Sequence, residues 1–267
     1  MSQPWDARQR ASTGGVQSVM RVFGLLEILA EEQGGLMISE LADQSGLPVP
    51  TAHRLLRTMI NLGYARQLLS RRYALGPRLI KLGDGARGQL GESAQPVLNM
   101  LAQRLGETAN LAVLDRDAAV YIAQSPSPHA MRMFTEVGRR VDLHDTGVGK
   151  AILASLSDAA IESIVGRTGM ATPTPYSHAA LDALLADLGA IRERGYSVDD
   201  QEQELGVRCY AVLVRNAPVP MAVSVSGPVI RIDTDFGIRA VQLLNVAAEE
   251  IGVGSLLQDD DGNSAGV

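Results

Sequence analysis

The sequence predicts an α+β fold in two parts, and three observations lead there. Residues 16–80 carry apolar positions at helical spacing and then a short hairpin pattern. Residues 96–257 mix helical stretches with strand-like runs that return on themselves; lacking a strict strand–helix alternation, they favour an antiparallel sheet over a doubly wound one. Charge divides in the same way. The 267-residue chain has a net charge of −6, yet residues 1–80 hold nine Arg against six acids, and the rest holds fifteen Lys or Arg against twenty-four acids. An acidic chain with one basic part keeps open a nucleic-acid partner that the total charge alone would argue against.

The elements follow in order. Residues 1–15, polar and closed by Gly14-Gly15, read as a flexible arm. From Ser18, the positions Val19, Val22, Phe23, Leu26 and Leu29 recur at three- and four-residue steps, so a first helix buries that face and stops near Gly34-Gly35. A second short helix runs from Ser39, an N-cap candidate, to Ser45. Gly46 supplies a left-handed stop, and Pro48 and Pro50 open a third helix ending at Leu62. Ala52, Leu55, Leu56 and Met59 then face inward, which leaves Thr51, His53, Arg54, Arg57 and Thr58 outside. After Gly63, "YARQLLSRRYALG" reads as a hairpin with Arg71 and Arg72 at its tip.

Helix, helix, tight turn, helix, hairpin is the order of a winged helix-turn-helix domain. Such a domain sets its last helix in the major groove and uses the hairpin arginines on backbone or minor groove. The DNA-binding candidates are therefore Thr51, His53, Arg54, Arg57, Arg71 and Arg72. A small helical domain with a solvated Arg face, or one serving protein interaction, fits the same local pattern.

Residues 81–95 read as a linker helix, 96–257 as the second domain and 258–267 as a disordered acidic tail. Within the second domain, helices are expected at 96–105, 145–155, 157–166, 181–194 and 235–251. Strands are expected in "ETANLAVLD", "AAVYIAQ", "AMRMFTE", "GYSV", "VRCYAVLV" and "PMAVSVSG". Four places offer a small-molecule site. Gly147 and Gly149 in "LHDTGVGKAIL" let backbone amides approach a ligand at a helix start. Asp199, with Asp200, closes a turn before the strand bearing Cys209. Ser224 and Ser226 share one strand face, and Met131 and Met133 alternate on a strand as an adaptable apolar wall. Each has a plainer reading as a turn former, core residue or solvated group. Together they describe a mostly apolar concavity with a few convergent polar groups.

Several classes fall away. The glycine loop is not a phosphate-binding P-loop, because His144 and Ala151 stand where that motif needs Gly and Ser or Thr. The four histidines are scattered and Cys209 is the only cysteine, so neither a disulfide nor a metal site is expected. No apolar run is long enough for a membrane span and the N-terminus lacks a signal-peptide core, so a cytoplasmic location is expected. Cys209 with His144 and an Asp would make a thiol nucleophile with its base, and His144, Cys209 and Asp199 a metal set, but no spacing brings either group together. No catalytic residue and no cofactor is expected.

The blocks "VQSVMRVFGLLEIL", "ISELADQSGLPVPTAHRLLRTMINLGYARQ", "YALGPRLIKLG", "LHDTGVGKAIL", "RERGYSVDDQEQELGVRCYAV" and "AVSVSGP" occur in the order found in the IclR family of bacterial transcriptional regulators, and the chain resembles that family over residues 16–255. The resemblance implies a winged helix-turn-helix domain, a linker helix and a C-terminal effector-binding domain with a GAF-like α/β fold. It implies a homodimer or dimer of dimers on double-stranded operator DNA, and a small organic acid or related metabolite as effector. It carries effector-binding roles onto Gly147, Val148, Asp199, Cys209, Ser224 and Ser226. Val148, where a smaller residue is common, is expected to narrow the space beside the loop amides.

Overall fold

The structure, a computed structural model, describes residues 16–90, 94–133 and 135–262. The expected arm and the last five residues of the expected tail lie outside the described residues. The chain divides between residues 86 and 87 into two compact units.

The first unit comprises α1 (Gln17–Ala30), α2 (Ile38–Ser45), α3 (Val49–Asn61), the strands β1 (Ala65–Gln67) and β2 (Tyr73–Leu75), and the start of α4 (Arg78–Leu90). Its core joins Leu25, Ile28 and Leu29 of α1 to Leu41 of α2, Leu56 and Met59 of α3, and Tyr73 of the hairpin. The face expected for α1 holds in part: Leu29 is buried and Val22 and Leu26 pack partly buried against this core, whereas Val19 and Phe23 are 50% and 60% exposed and Leu25 and Ile28 complete the buried stripe. The α2 cap also differs. Met37 holds the N-cap position and the Glu40 carboxylate accepts its N–H at 2.6 Å, so Ser39 lies in the first turn. Gly46 takes φ +64°, and the Leu47 N–H reaches back to the Ala42 carbonyl at 3.1 Å, closing α2 with the left-handed stop the sequence predicts. Leu36 pairs with Tyr73 through two backbone hydrogen bonds, which fixes the hairpin to the segment ahead of α2.

The second unit is built on a six-stranded antiparallel sheet in the order β5-β4-β3-β8-β7-β6. Its strands are β3 (Thr108–Asp115), β4 (Ala118–Ser125), β5 (Arg140–Val141), β6 (Ser197–Asp200), β7 (Val207–Val214) and β8 (Met221–Pro228). One sheet face packs Val212, Val223 and Val225 on α5 (Gln95–Leu105) and α9 (Thr234–Gly262). The other packs Ala112, Ala211 and Ala222 on α6 (Gly147–Leu153), with α7 (Asp158–Thr168) and α8 (Leu181–Arg194) completing that core. Helix α9 runs to Gly262, into the stretch expected as tail.

One expected strand is absent. The "AMRMFTE" stretch carries no ladder over its described residues, and the two-residue β5 takes the sheet edge. Side chains satisfy its carbonyls instead: Thr108 Oγ1 donates to Met133 O at 3.2 Å, and Arg231 donates to Met131 O at 2.9 Å. Met131 and Met133 therefore do not alternate on a strand. Asp199 and Asp200 are also displaced from the expected turn. They end β6, where Asp199 pairs with Cys209, and the turn follows at 201–206.

Candidate functional site

In the first unit, the left-handed Gly46 and Pro48 start α3 immediately after α2. Ala52, Leu56 and Met59 bury one stripe of α3, so His53, Arg54, Arg57 and Thr58 are exposed by the helical period and Thr51 is half-buried. Among the described residues, neither Arg54 nor Arg57 forms an ion pair. Two cations on adjacent turns thus stand ready for an anionic partner. Arg71 is exposed at the hairpin tip with φ +63°. Arg72 differs, because its guanidinium turns back to the Gly35 carbonyl at 3.2 Å and the Glu40 carboxylate at 3.2 Å. Arg78 is tied in as well, donating to Leu62 O at 3.1 Å and covering the Tyr64 ring. The basic surface is narrower than the arginine count suggests.

In the second unit, strand pairing gathers polar side chains onto the α6 face of the sheet. Asp199, Cys209, Ser226 and Thr108 are successive cross-strand partners, and Ala211, Ser224, Asn110 and Gln124 form the next row. Asn110 Nδ2 donates to Ser226 Oγ, and Gln124 Nε2 to Asn110 Oδ1, both at 3.3 Å. Beside these rows, a cavity of about 110 Å³ is lined by Gly147, Thr146, Asp199, Cys209, Ser226 and Met133, with Tyr121, Thr135 and Arg139 on its other walls.

Only glycine at 147 allows this closeness, since a Cβ there would stand 2.7 Å from Cys209 Sγ. Thr146 caps α6: its hydroxyl accepts Gly149 N–H at 3.1 Å and donates to Asp142 O at 2.7 Å. The N–H groups of Gly147 and Val148, in the first turn, have no acceptor within the helix.

Burial, with the Glu202 charge adding to it, raises Asp199 to about 7, although its Oδ1 accepts Glu202 N–H at 2.7 Å. Burial and then the Asp199 charge push the Cys209 thiol up to about 12. Burial, reinforced by Asp142, raises Asp145 to about 7. A thiol held protonated is a poor nucleophile. His144 Nε2 is engaged with Ala171 O at 2.7 Å, so the Cys–His pairing weighed from the sequence is not formed.

Of the expected effector residues, Gly147, Asp199, Cys209, Ser226 and Met133 meet at this cavity. Ser224 lies one row behind, fully buried, its hydroxyl without a hydrogen-bond partner. Met131 is 68% exposed and stands apart. The Val148 side chain packs into the α6 core, so the expectation that it narrows the cavity is corrected. Sequence reasoning passed over Tyr121, Thr135, Arg139, Asn110 and Lys150. Thr108 and Asn110 alternate on an otherwise apolar strand, and that pattern was a usable signal for a polar face.

Lys150 is the largest omission. It is 1% exposed, and its ammonium bridges Asp187 at 2.8 Å and Glu202 at 2.5 Å, with His178 at 3.3 Å from Asp187. It ties α6 to α8 and to the turn that holds Asp199. Burial opposes ionisation of Asp187, but His178 and Lys150 outweigh it and hold that carboxyl below the usual range.

Residues 18–69 match the IclR helix-turn-helix domain, and residues 86–253 match the bacterial transcriptional regulator IclR C-terminal family. The chain is 38% identical over 255 residues to the transcriptional repressor IclR of Escherichia coli K12, covering 90% of each. It is 38% identical over 250 residues to the acetate operon repressor of Salmonella typhimurium LT2, again covering 90% of each. A crystal structure of an IclR transcriptional regulator from Alicyclobacillus acidocaldarius superposes with a TM-score of 0.81 at 28% identity, covering 90% of this chain and 99% of that one. An IclR homolog from Microbacterium hydrocarbonoxydans complexed with 4-hydroxybenzoate shares the fold, with a TM-score of 0.78 at 23% identity over 88% of this chain and 98% of that one. The paired helices and hairpin at the N-terminus, followed by the curled sheet with its walled cavity, place this chain in the IclR family of ligand-responsive, DNA-binding transcriptional regulators.

Proposed function

We propose that the protein represses a catabolic operon by binding operator DNA through α3, and that a small organic acid in the Gly147–Asp199–Cys209–Ser226 cavity alters that binding. The observation that carries the reading is the convergence of these four residues, distant in sequence, on one cavity under a glycine loop. His53, Arg54 and Arg57 approach base edges and phosphates, Thr51 and Arg71 support the dock, and Arg72 holds the hairpin in place while facing Glu40. Arg139 suits a ligand carboxylate, and the Gly147 and Val148 amides suit its oxygens. Asp199, raised towards neutrality, takes a hydroxyl or hydrated carbonyl, which favours keto and hydroxy acids over bare acids. The Microbacterium homolog's hydroxylated aromatic acid fits the same pattern of one carboxylate and one hydroxyl.

The chain acts as a homodimer or dimer of dimers in the cytoplasm, and no catalysis is part of this reading. Val16, Val19 and Phe23 support self-association, because they expose an apolar stripe on and just ahead of α1. Half-sites read from one face then lie about 34 Å apart or at a multiple of that spacing. A ligand shifts occupancy only by its differential affinity for the two arrangements, and couplings of about 1–3 kcal/mol correspond to roughly five- to 150-fold.

The test is to incubate the purified protein with sheared DNA of its own genome at near-physiological salt and to sequence what is retained. A small set of fragments sharing an inverted repeat, displaced by a metabolite extract, is the expected result. Uniform or no retention, with and without the extract, overturns it.

A further inference from the structure

We propose that Asp142, His144 and Asp145 form a divalent-metal site of the zinc class at the foot of the loop leading into α6. Histidine and cysteine spacing carries no signal for such a site, because this set is carboxylate-rich and lies within four consecutive residues. One ligand atom from each of the three side chains lies within 4.8 Å of the other two. Leu143, between them, is buried in the core and anchors the segment.

Two further observations point to a ligand. Asp145 is 3% exposed, and its Oδ1 is buried without a hydrogen-bond partner, an arrangement costly for a carboxylate unless something compensates it. His144 Nε2 lies 2.7 Å from the Ala171 carbonyl. A carbonyl only accepts, so Nε2 donates to it and Nδ1 is the nitrogen left to meet a metal. An imidazole whose second nitrogen donates to a backbone carbonyl is the usual posture of a metal-ligating histidine.

The charge also fits. Two carboxylates and an imidazole match a dication, and among the described residues no cation pairs with Asp142 or Asp145. The other His–carboxylate cluster, His178, Asp187 and Glu202, provides the contrast, since Lys150 already supplies its cation at 2.8 and 2.5 Å. The Asp142 cluster has the same donor types and no such lysine. One nitrogen and two carboxylate oxygens suit zinc, with a fourth position left for water. Asp142 is exposed and provides the route in. Its carbonyl accepts the Thr146 hydroxyl at 2.7 Å, so a bound metal would stiffen the loop that forms one wall of the effector cavity.

The experiment is a zinc titration of chelator-stripped full-length protein against a chromophoric competing chelator, with Mg²⁺ run in parallel. Wild type should take one Zn²⁺ per chain and prefer it to Mg²⁺. Asp142→Asn and Asp145→Asn should each weaken binding at least tenfold, while Cys209→Ser leaves it unchanged. Asp142 is exposed, so its variant keeps the fold and the test stays valid if Asp145→Asn misfolds. The proposal is overturned by absent stoichiometric binding, by binding that survives the Asp142 change, by loss on Cys209→Ser, or by Mg²⁺ binding as tightly as Zn²⁺.

Discussion

Replacing Lys150 by Met leaves an isosteric chain without its ammonium, at a position only 1% exposed. Asp187 and Glu202, at 2.8 and 2.5 Å from the cation, would then keep only His178, beside both, and Arg194, 3.4 Å from Asp187. A unit pair at 4 Å is worth about 4 kcal/mol at an effective dielectric near 20, and taking up a proton on one carboxylate limits the damage. Removing one partner of a buried pair typically costs about 3–5 kcal/mol, which is the expected loss here and a large share of a domain's total stability. Equilibrium urea denaturation of the full chain gives the magnitude, and hydrogen exchange at α6 amides assigns it to the second unit. Adding Glu202→Gln should recover part of the loss by removing one of the stranded charges. The gap between wild type and variant should also narrow in acid. Asp187 is held below its ordinary value, so its contribution is present above the unfolded carboxylate range and is lost as pH falls through the folded value. A loss below about 1 kcal/mol, or one independent of pH, would refute the reasoning, because the carboxylates would then be neutral or reached by water.

Three further outcomes follow from the same structure. Arg57→Ala should lower operator affinity by roughly 1–3 kcal/mol if the side chain reads a base, relaxing specificity at one position. If it holds phosphate, the loss should be uniform across sequences and the salt slope should fall by about one; a mutant with the parent's affinity and salt series removes it from the interface. Asp199→Asn should stabilise the protein relative to wild type as pH rises from about 4 to about 7. A carboxyl raised to about 7 by burial binds more protons folded than unfolded across that window, so wild type loses stability there and Asn does not; parallel pH curves would contradict the assignment. Gly147→Ala should destabilise by about 1–3 kcal/mol through overpacking against Cys209 Sγ, 2.7 Å from the new Cβ. Cys209→Ala in the same chain should relieve only part, since the Cys209 Cβ itself stands 3.3 Å away; strictly additive thermal shifts would show that the two side chains do not meet.

Much of the fold could be read from local pattern, because the period of apolar residues and the left-handed glycine at 46 act within a few residues. The order of α1 to α3, the hairpin, and the strands bearing Cys209 and Ser224 needed nothing distant. The local pattern failed where distant groups compete for the backbone. Thr108 and Arg231 take the carbonyls of Met133 and Met131 that the expected strand at "AMRMFTE" would have used. The same limit applied to the sites. Arg54 and Arg57 were exposed by helical spacing alone, but Arg72 turned inward because Glu40 lies 32 residues earlier and within reach.

What the sequence determined by itself is the list of elements and the residue types on each face, which local sterics and burial period dictate. What only the tertiary structure decided is which faces meet. Antiparallel register aligned Asp199, Cys209, Ser226 and Thr108 in one row, and folding placed Lys150 against carboxylates 37 and 52 residues away. Both outcomes depend on closing long loops around a shared core, and no window of the sequence contains the partners that reward that closure.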